Sequence, residues 1–289
     1  YNAPHLPNTT HPPHAQLYTD AEVATPAGVF RPRTEKPAYI RDFTMLNAAP
    51  DGSPRYSGKS LPETVRAYNR LVSALDEGVR DLLRSLEASG QLDNTLIIFT
   101  SDQGMAWGEH GFAWKVGPYD ACLRMPLLFR LPGAVAKGGV CEQPATIVDV
   151  PATLLGFAGV PPPWKLHGHD LRPLLRDPAS GSDRAVMMEH LGLRFGDAER
   201  EDVSSKEING KHYVPWWQFL RQGRHKYVTS FVPNEIEELY DLETDPQELK
   251  NLALDAAHRP LLDDLRAKLH AELQRTEAAD LFLPPPPRR

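Results

Sequence analysis

The spacing of apolar residues divides the first half of the chain into a helix and two strands. Apolar positions recur at helical spacing from Tyr68 to Leu86, which predicts a long amphipathic helix with a capping box at Ser60. The unbroken β-branched and aromatic run from Thr95 to Thr100 is typical of a strand buried on both faces of a parallel sheet. A second apolar run, Met125 to Leu131, predicts another strand. These elements predict an α/β domain with a mixed, mostly parallel central sheet flanked by helices.

The periodicity changes after Arg184 to that of short strands. Strands are predicted at 185–189, 216–220 and 225–231, and the Gly-containing turn at 221–224 between the last two predicts an antiparallel hairpin. After Pro260, leucines at helical spacing predict a C-terminal helix that packs on this sheet: Leu262, Leu265, Leu269 and Leu273. The expected division is therefore an α/β catalytic portion (1–175), a smaller antiparallel sheet with its helix (176–283) and a proline-rich tail (284–289).

The remaining segments are predicted to be loops and one short helix. Residues 15–58 are rich in proline and polar side chains, which predicts a long irregular excursion. A helix is expected to begin near Pro151 and to stop at Gly159. His167 and His169 lie in the following loop, and because no third ligand stands at helical spacing we interpret them as part of a connection and not as a zinc site.

The composition mainly excludes classes of protein. The 289 residues carry a formal net charge of −6 with both signs dispersed, so no basic stripe predicts nucleic-acid binding. Two cysteines, Cys122 and Cys141, exclude a disulfide-dense scaffold and leave their pairing open. No apolar run approaches the roughly 18 residues of a membrane helix, and no signal peptide is recognisable. Since the chain begins with Tyr1 and not with methionine, we interpret it as a fragment or a processed chain.

Polar residues follow the predicted strand at 95–100 directly. In open α/β sheets, ligands lie beyond the carboxyl ends of the strands. The carboxylate of Asp102 and the amide oxygen of Gln103 stand at that point and are hard donors suited to Ca²⁺ or Mg²⁺. An isolated Ser-Asp-x-Gly sequence more often forms only a turn, so the residues that follow decide between a site and a turn.

Those residues favour a site. Three glycines space a loop that contains Glu109 and His110, and the loop is followed at fixed intervals by Lys115, Tyr119, Arg124 and Pro126. This whole spacing resembles the C-terminal half of the catalytic domain of formylglycine-dependent sulfatases, in the alkaline phosphatase superfamily. Near the start of the chain, Tyr-x-Ala-Pro-His-x-Pro around His5 is similar to the segment that brings a histidine to the sulfate group in that family.

The resemblance implies a role for each matched residue. Asp102 and Gln103 would help to hold a divalent cation, Ca²⁺ or alternatively Mg²⁺, although many relatives carry asparagine or histidine in place of Gln103. Lys115 would bind sulfate oxygens as a compact positive charge. His5 would bind the sulfate or protonate the leaving alcohol. His110 would shape the loop or contact the substrate.

The resemblance also shows what these residues lack. The Cys/Ser-x-Pro-x-Arg segment, whose first residue becomes formylglycine, is absent, since neither Cys122 nor Cys141 has the required proline and arginine. The early aspartate pair of the family's metal site is absent as well. The resemblance makes Asp149 a structural cap and implies an exported, periplasmic or secreted parent sulfatase. The isolated chain is expected to have little or no turnover.

Two other classes stay open at this stage. A phosphomonoester or phosphonate hydrolase of the same superfamily would use the same metal and sheet-edge geometry, because phosphate and sulfate esters share a tetrahedral anionic shape. A non-catalytic relative that binds sulfated glycans would need no nucleophile. The expected ligand is a sulfated small molecule or a sulfated glycan, and neither nucleic acid nor a membrane span is expected.

Overall fold

The structure is a computed structural model that describes residues 3–5, 12–30, 33–41, 43–181, 184–191 and 214–279. The helices are α1 (Ala38–Arg41), α2 (Leu61–Ala88), α3 (Asp120–Leu123), α4 (Asp149–Ala158), α5 (Arg172–Arg176) and α6 (Arg259–Arg275). The strands are β1 (Asn47–Ala48), β2 (Pro54–Tyr56), β3 (Lys59–Ser60), β4 (Ile97–Thr100), β5 (Leu127–Arg130), β6 (Ala185–His190), β7 (Trp217–Gln222), β8 (His225–Ser230) and β9 (Glu238–Asp241). They form sheets β1-β2-β3, β4-β5 and β6-β7-β8-β9. The tail at 284–289 lies outside the described residues.

Strand β4 lies where the apolar run predicts it, but its surroundings differ. It pairs antiparallel with β5, so that Phe99 stands opposite Leu128. These two side chains are 37% and 56% exposed. The prediction of a strand buried on both faces of a parallel sheet is therefore wrong for the described residues. Apolar composition identifies a strand, but it does not tell which elements cover the two faces.

The position of helix α2 is confirmed, but the predicted capping box at its N-terminus is not. Ser60 stands at the N-cap position, yet its side chain forms no capping hydrogen bond. The predicted capping box is wrong because the Glu63 carboxylate accepts a hydrogen bond of 2.8 Å from Arg70 instead. Two members of the predicted apolar stripe, Val72 and Leu82, are 39% and 55% exposed.

The antiparallel C-terminal sheet and its helix are confirmed. All neighbouring strands from β6 to β9 pair antiparallel. The leucines of the predicted stripe on α6 are each at most 1% exposed: Leu262, Leu265, Leu269 and Leu273. Together with Trp216, Leu220 and Tyr227 they form one apolar cluster. The helix therefore buries one face of this sheet.

The other face of the sheet packs on the first part of the chain. Trp217 and Phe219 of β7 share a buried cluster with Tyr39, Phe112 and Tyr119. Because alternate residues of a strand point to opposite faces, β7 separates this cluster from that of α6. The predicted division at 175/176 stays a prediction, and a common core crosses it.

A buried ion cluster lies in the same contact. Lys226 of β8 is fully buried, and its ammonium lies 2.8 Å from Asp120 and 2.7 Å from Glu248. Burial alone would lower the pKa of Lys226, but the two carboxylates raise it above its ordinary value. The backbone N–H of Asp120 donates to the Glu248 carboxylate at 2.6 Å. The start of α3 is thus tied to β8 and to the segment after β9.

A second buried ammonium completes the cluster. Lys36, 3% exposed, donates to the Tyr240 hydroxyl and to the Glu248 carbonyl, each at 2.5 Å. The Tyr119 hydroxyl donates to the Glu238 carboxylate at 2.8 Å, which lies 3.4 Å from Lys36. Burial lowers the pKa of Lys36 to about 8, and the attraction of the two carboxylates opposes the shift only in part.

Asp149 is more than a cap. It is fully buried, and its carboxylate accepts hydrogen bonds from the backbone N–H groups of Thr146 (2.7 Å) and His169 (2.8 Å). The guanidinium of Arg184 donates to both of its oxygens, at 2.7 and 2.6 Å. One carboxylate therefore joins the start of α4 to a later loop and to the segment before β6.

The two cysteines are not paired. Cys122 is buried and Cys141 is exposed, and both are free thiols. Burial raises the pKa of the Cys122 thiol to about 12. Among the described residues, no helix has the length and apolar character needed to cross a membrane.

Replacing Asp149 by asparagine should destabilise the fold strongly. Asp149→Asn leaves the Arg184 guanidinium without its carboxylate in a buried position, which typically costs about 3 to 5 kcal/mol. The matched control is Asp93→Asn, because Asp93 pairs with Arg130 at 2.7 Å while 79% of its side chain is exposed, and an exposed pair contributes about 1 kcal/mol or less. Urea denaturation of both variants gives the comparison; equal losses would contradict the assignment.

The pKa of Lys36 predicts a pH-dependent stability. With a pKa of about 8 in the folded chain and roughly 10.4 when unfolded, the unfolded chain binds the extra proton between these values. Stability should therefore rise with pH in this window. The free energy of unfolding of the wild type minus that of Lys36→Met should increase by roughly 2 to 3 kcal/mol from pH 8 to 10.5. A flat difference would show that Lys36 keeps an ordinary pKa, and a falling one that its pKa is raised; either result would contradict the prediction.

Candidate functional site

The loop 101–119 begins where β4 ends and carries most of the predicted site residues. Asp102 is exposed there and Gln103 is half-buried. The Ser101 hydroxyl lies 3.3 Å from the Asp102 carboxylate and 3.2 Å from the Gln103 carbonyl oxygen. Burial, and then the nearby negative charge of Asp102, raise the pKa of Tyr68. Helix α2 therefore forms one wall beside the carboxylate.

Two glycines allow the loop to pass close to other backbone segments. A Cβ atom at Gly104 would lie 2.8 Å from the carbonyl oxygen of Arg124. At Gly111, where φ is +80°, a Cβ atom would lie 2.8 Å from the carbonyl oxygen of Phe43. Neither position accepts a side chain without a backbone shift. Close packing thus fixes the course of the loop on both sides of His110.

Lys115 lies half-buried near the end of this loop. In the part of the chain that the structure describes, its ammonium has no hydrogen bond or ion pair, and the Asp102 carboxylate likewise has no cationic partner. The next residue, Val116, has a left-handed φ of +74°. The indole Nε1 of Trp217 donates a hydrogen bond of 2.9 Å to the Val116 carbonyl oxygen. The C-terminal sheet therefore contacts the loop directly beside Lys115.

The two histidines predicted to belong to the site differ in exposure, since His110 is buried and His5 is exposed. His110 is 2% exposed and stacks on the Tyr119 ring, with 3.8 Å between the ring centroids. Burial lowers the pKa of His110 well below its ordinary value, and the charges of Lys36 and Arg33 act in the same direction. In this position a neutral His110 packs the loop and has no face open to a substrate. His5 is exposed in the short described turn at 3–5.

A divalent cation fits the site by donor type. Asp102 and Gln103 are adjacent and provide hard oxygen donors, but Ca²⁺ takes six to eight oxygen ligands. The described residues contain no group of three or more His, Cys, Asp and Glu side chains that could hold a metal ion, and this includes the loop with His167 and His169. The two donors therefore fit as part of a coordination shell.

The buried charged residues that contact the end of this loop were not predicted from the sequence. Lys36, Lys226, Glu238 and Glu248 are each at most 3% exposed, and they contact Tyr119 and Asp120 from more than 80 positions away in the chain. One signal was present, because Lys226 stands beside Tyr227 and Val228 within a predicted strand, and buried charges occur almost only in pairs. Trp217 gave no signal beyond that of a core residue.

Two family profiles match the chain. The profile described as sulfatase matches residues 6–160, and the one described as N-sulphoglucosamine sulphohydrolase, C-terminal, matches residues 108–276. Each covers more than half of the chain, and the two overlap across the loop that carries Lys115. The matches therefore include the candidate site and the C-terminal sheet.

Individual proteins show the same likeness. The N-acetylglucosamine-6-O-sulfatase of Bacteroides thetaiotaomicron is 34% identical over 188 residues, which are 65% of this chain and 32% of that protein. A protein solved in complex with its substrate D-glucosamine-2-N,6-O-disulfate superposes with a TM-score of 0.78 at 24% identity, over 96% of this chain and 65% of that one. The latter likeness shows the α/β sulfatase fold.

A third similar protein is named for a different activity. The phosphonate monoester hydrolase of Agrobacterium radiobacter is 27% identical with a TM-score of 0.62, over 78% of this chain and 45% of that one. The chain thus spans between 32% and 65% of the length of these proteins. With two sulfatase profiles matched over more than half of its length, the chain belongs to the sulfatase family.

Proposed function

We propose that the protein to which this chain belongs hydrolyses sulfate esters with the help of a divalent cation. The observation that carries the proposal is the pair of charges on loop 101–119. Asp102 and Lys115 both lie on the segment that joins the end of β4 to the start of β5, and neither has an ion-pair partner among the described residues. The carboxylate is available to a cation and the ammonium to an anion, which are the two charges that an anionic ester bound through a metal requires.

Each residue then has a defined task. The oxygens of Asp102 and Gln103 would provide part of the coordination shell of Ca²⁺, or alternatively Mg²⁺, which would supply Lewis-acid polarisation of an ester oxygen. Lys115 binds the non-bridging oxygens and stabilises the charge that develops on them. His5 donates a hydrogen bond to the ester or a proton to the leaving alcohol. The resemblance assigns the formylglycine nucleophile and the remaining metal ligands to a segment outside these 289 residues.

The proposed substrate class is a sulfated sugar. The Bacteroides thetaiotaomicron relative, an N-acetylglucosamine-6-O-sulfatase that is 34% identical, supports this class, and a small sulfated ester is the second option. Export of the full protein belongs to the same proposal. We also propose that the full protein has a mostly parallel central sheet. The exposed side chains of Phe99 and Leu128 form an apolar face on β4–β5 that further elements of the full protein would cover.

One alternative has an observation in its favour. The Agrobacterium radiobacter phosphonate monoester hydrolase is 27% identical over 78% of the chain. Phosphonate monoesters are tetrahedral anions that the same cation and ammonium can bind. A hydrolase for phosphonate or phosphate monoesters is therefore the competing function.

The full protein should hydrolyse an aryl sulfate with a higher kcat/KM than the matching aryl phosphate or aryl phosphonate monoester. The physical reason for the preference over phosphate is the compact cationic environment that Lys115 and one cation offer to a singly charged ester. The phosphonate monoester is singly charged as well, so its comparison with the sulfate tests the competing function. Turnover of the three esters under identical conditions provides the measurement. The reverse order would favour the phosphonate hydrolase, and binding of a sulfated sugar without any turnover would favour a non-catalytic binding protein.

Lys115 should carry the anion-binding charge of the site. In the full protein, Lys115→Ala removes a contact that strengthens as charge builds on the sulfate, and loss of one such preorganised contact costs roughly 10²- to 10³-fold in kcat. Lys137→Ala is the matched control, because Lys137 is an exposed lysine beyond β5, and it should behave as the wild type. Steady-state kinetics and melting temperatures are measured together. A folded Lys115→Ala variant with full activity would refute this assignment.

A further inference from the structure

The backbone directly after Lys115 has an unfavourable conformation. Val116 has φ = +74°, in the left-handed region that β-branched residues almost never occupy. Such a conformation persists only where the surrounding structure imposes it, and it is frequently found at functional sites. The turn at Val116 decides the direction in which the Lys115 side chain leaves the loop, so the group that holds this turn also holds the lysine.

Among the described residues, Trp217 forms a side-chain hydrogen bond to the backbone of this turn. Its indole Nε1 donates to the Val116 carbonyl oxygen at 2.9 Å. The ring is fully buried and stacks between His190 and Phe219, with centroid distances of 5.6 and 6.1 Å. Its backbone pairs with β6 on one side and with β8 on the other. The donor therefore has little freedom to follow the loop if the loop moves.

The other side of the turn is equally restricted. A Cβ atom at Gly117 would lie 3.0 Å from the Phe112 ring and 3.2 Å from the Cys122 sulfur. Two residues later, the Tyr119 hydroxyl is bonded to Glu238 of β9. The backbone after Lys115 is thus enclosed. Among the described residues, the C-terminal sheet forms its polar contact nearest to Lys115 in the sequence through the hydrogen bond from Trp217 to Val116.

We infer that Trp217 is a positioning residue for Lys115: its indole N–H holds Val116 in the left-handed turn that directs the Lys115 ammonium to the substrate. The inference rests on the proposed function, since it takes Lys115 as the anion-binding group. It assigns to the C-terminal sheet a part in catalysis, because a strand of that sheet provides the hydrogen bond.

A purely structural role of Trp217 makes a different prediction. If the ring only fills the core, its replacement should lower stability without a specific effect on the lysine, and the residue at position 116 should not matter. If the hydrogen bond maintains the turn, glycine at position 116 should make the bond dispensable. Glycine occupies positive φ without a steric penalty, so the turn would persist without its donor.

The experiment uses the full protein and four variants: Trp217→Phe, Val116→Gly, the double variant Trp217→Phe/Val116→Gly, and Lys115→Ala. Trp216→Phe is the matched control, since the neighbouring tryptophan packs on the opposite face with α6. The readouts are kcat and KM for an aryl sulfate, inhibition by inorganic sulfate, and the melting temperature. Trp217→Phe keeps an aromatic ring and removes only the donor and part of the volume.

Trp217→Phe should lower kcat on the order of 10²-fold, the loss expected for a catalytic group displaced by about 1 Å, and should weaken inhibition by sulfate. The kcat of the double variant should be at least tenfold higher than that of Trp217→Phe. Its melting temperature should not exceed that of Trp217→Phe, so that a gain in stability does not explain the recovery. Trp216→Phe should stay within about twofold of the wild type, because it leaves the turn untouched.

The outcomes separate the two proposals. Full activity of Lys115→Ala overturns the proposed site itself. If Lys115→Ala loses activity while Trp217→Phe retains it, or if glycine at position 116 restores nothing, the positioning role is overturned. Should Trp217→Phe fail to fold, benzothienylalanine at position 217 replaces the indole N–H by sulfur in a ring of the same shape. Its kcat should fall as for Trp217→Phe, and an unchanged kcat would overturn the inference.

Discussion

The structure depends on two ammonium groups that are buried where the end of loop 101–119 meets the C-terminal sheet. Lys226 lies between Asp120 and Glu248, and Lys36 lies beside Glu238. Neither charge is stable in this position without its carboxylates, because the cost of removing a charge from water is offset only by a close partner. The carboxylates come from both sides of the contact. The loop and the sheet therefore keep one relative arrangement, and a merely apolar contact would specify that arrangement less sharply.

The local elements could be predicted from the sequence because their causes are local. The leucine stripe after Pro260 and the glycine turn at 223 specify α6 and the β7–β8 hairpin through spacing alone. The order of Asp102, Gln103 and Lys115 on one loop could also be predicted, because a strand followed by polar residues defines a sheet edge. In these cases the residues that decide the structure are neighbours in the chain.

The errors concern contacts between distant segments. Nothing near Phe99 indicates that it faces Leu128 across an antiparallel pair with one open side. The capping box failed because Glu63 has a nearer cationic partner in Arg70, which competes with the backbone for its carboxylate. For His110 the resemblance left loop shaping and substrate contact open, and only the structure shows that a left-handed turn carries its ring into the core and onto Tyr119.

The alternation of β7 adds a constraint on the hairpin that contains it. Trp216 faces α6 and Trp217 faces the loop beside Lys115. In a strand, a shift of one residue exchanges the two faces. A slip of β7 against β8 would therefore present Trp216 to the loop and bury Trp217 under the helix. The length of the turn around Gly223 is then as much a determinant of the surroundings of Lys115 as the residues of loop 101–119 themselves, and natural variation in that turn should occur in steps that preserve the strand register.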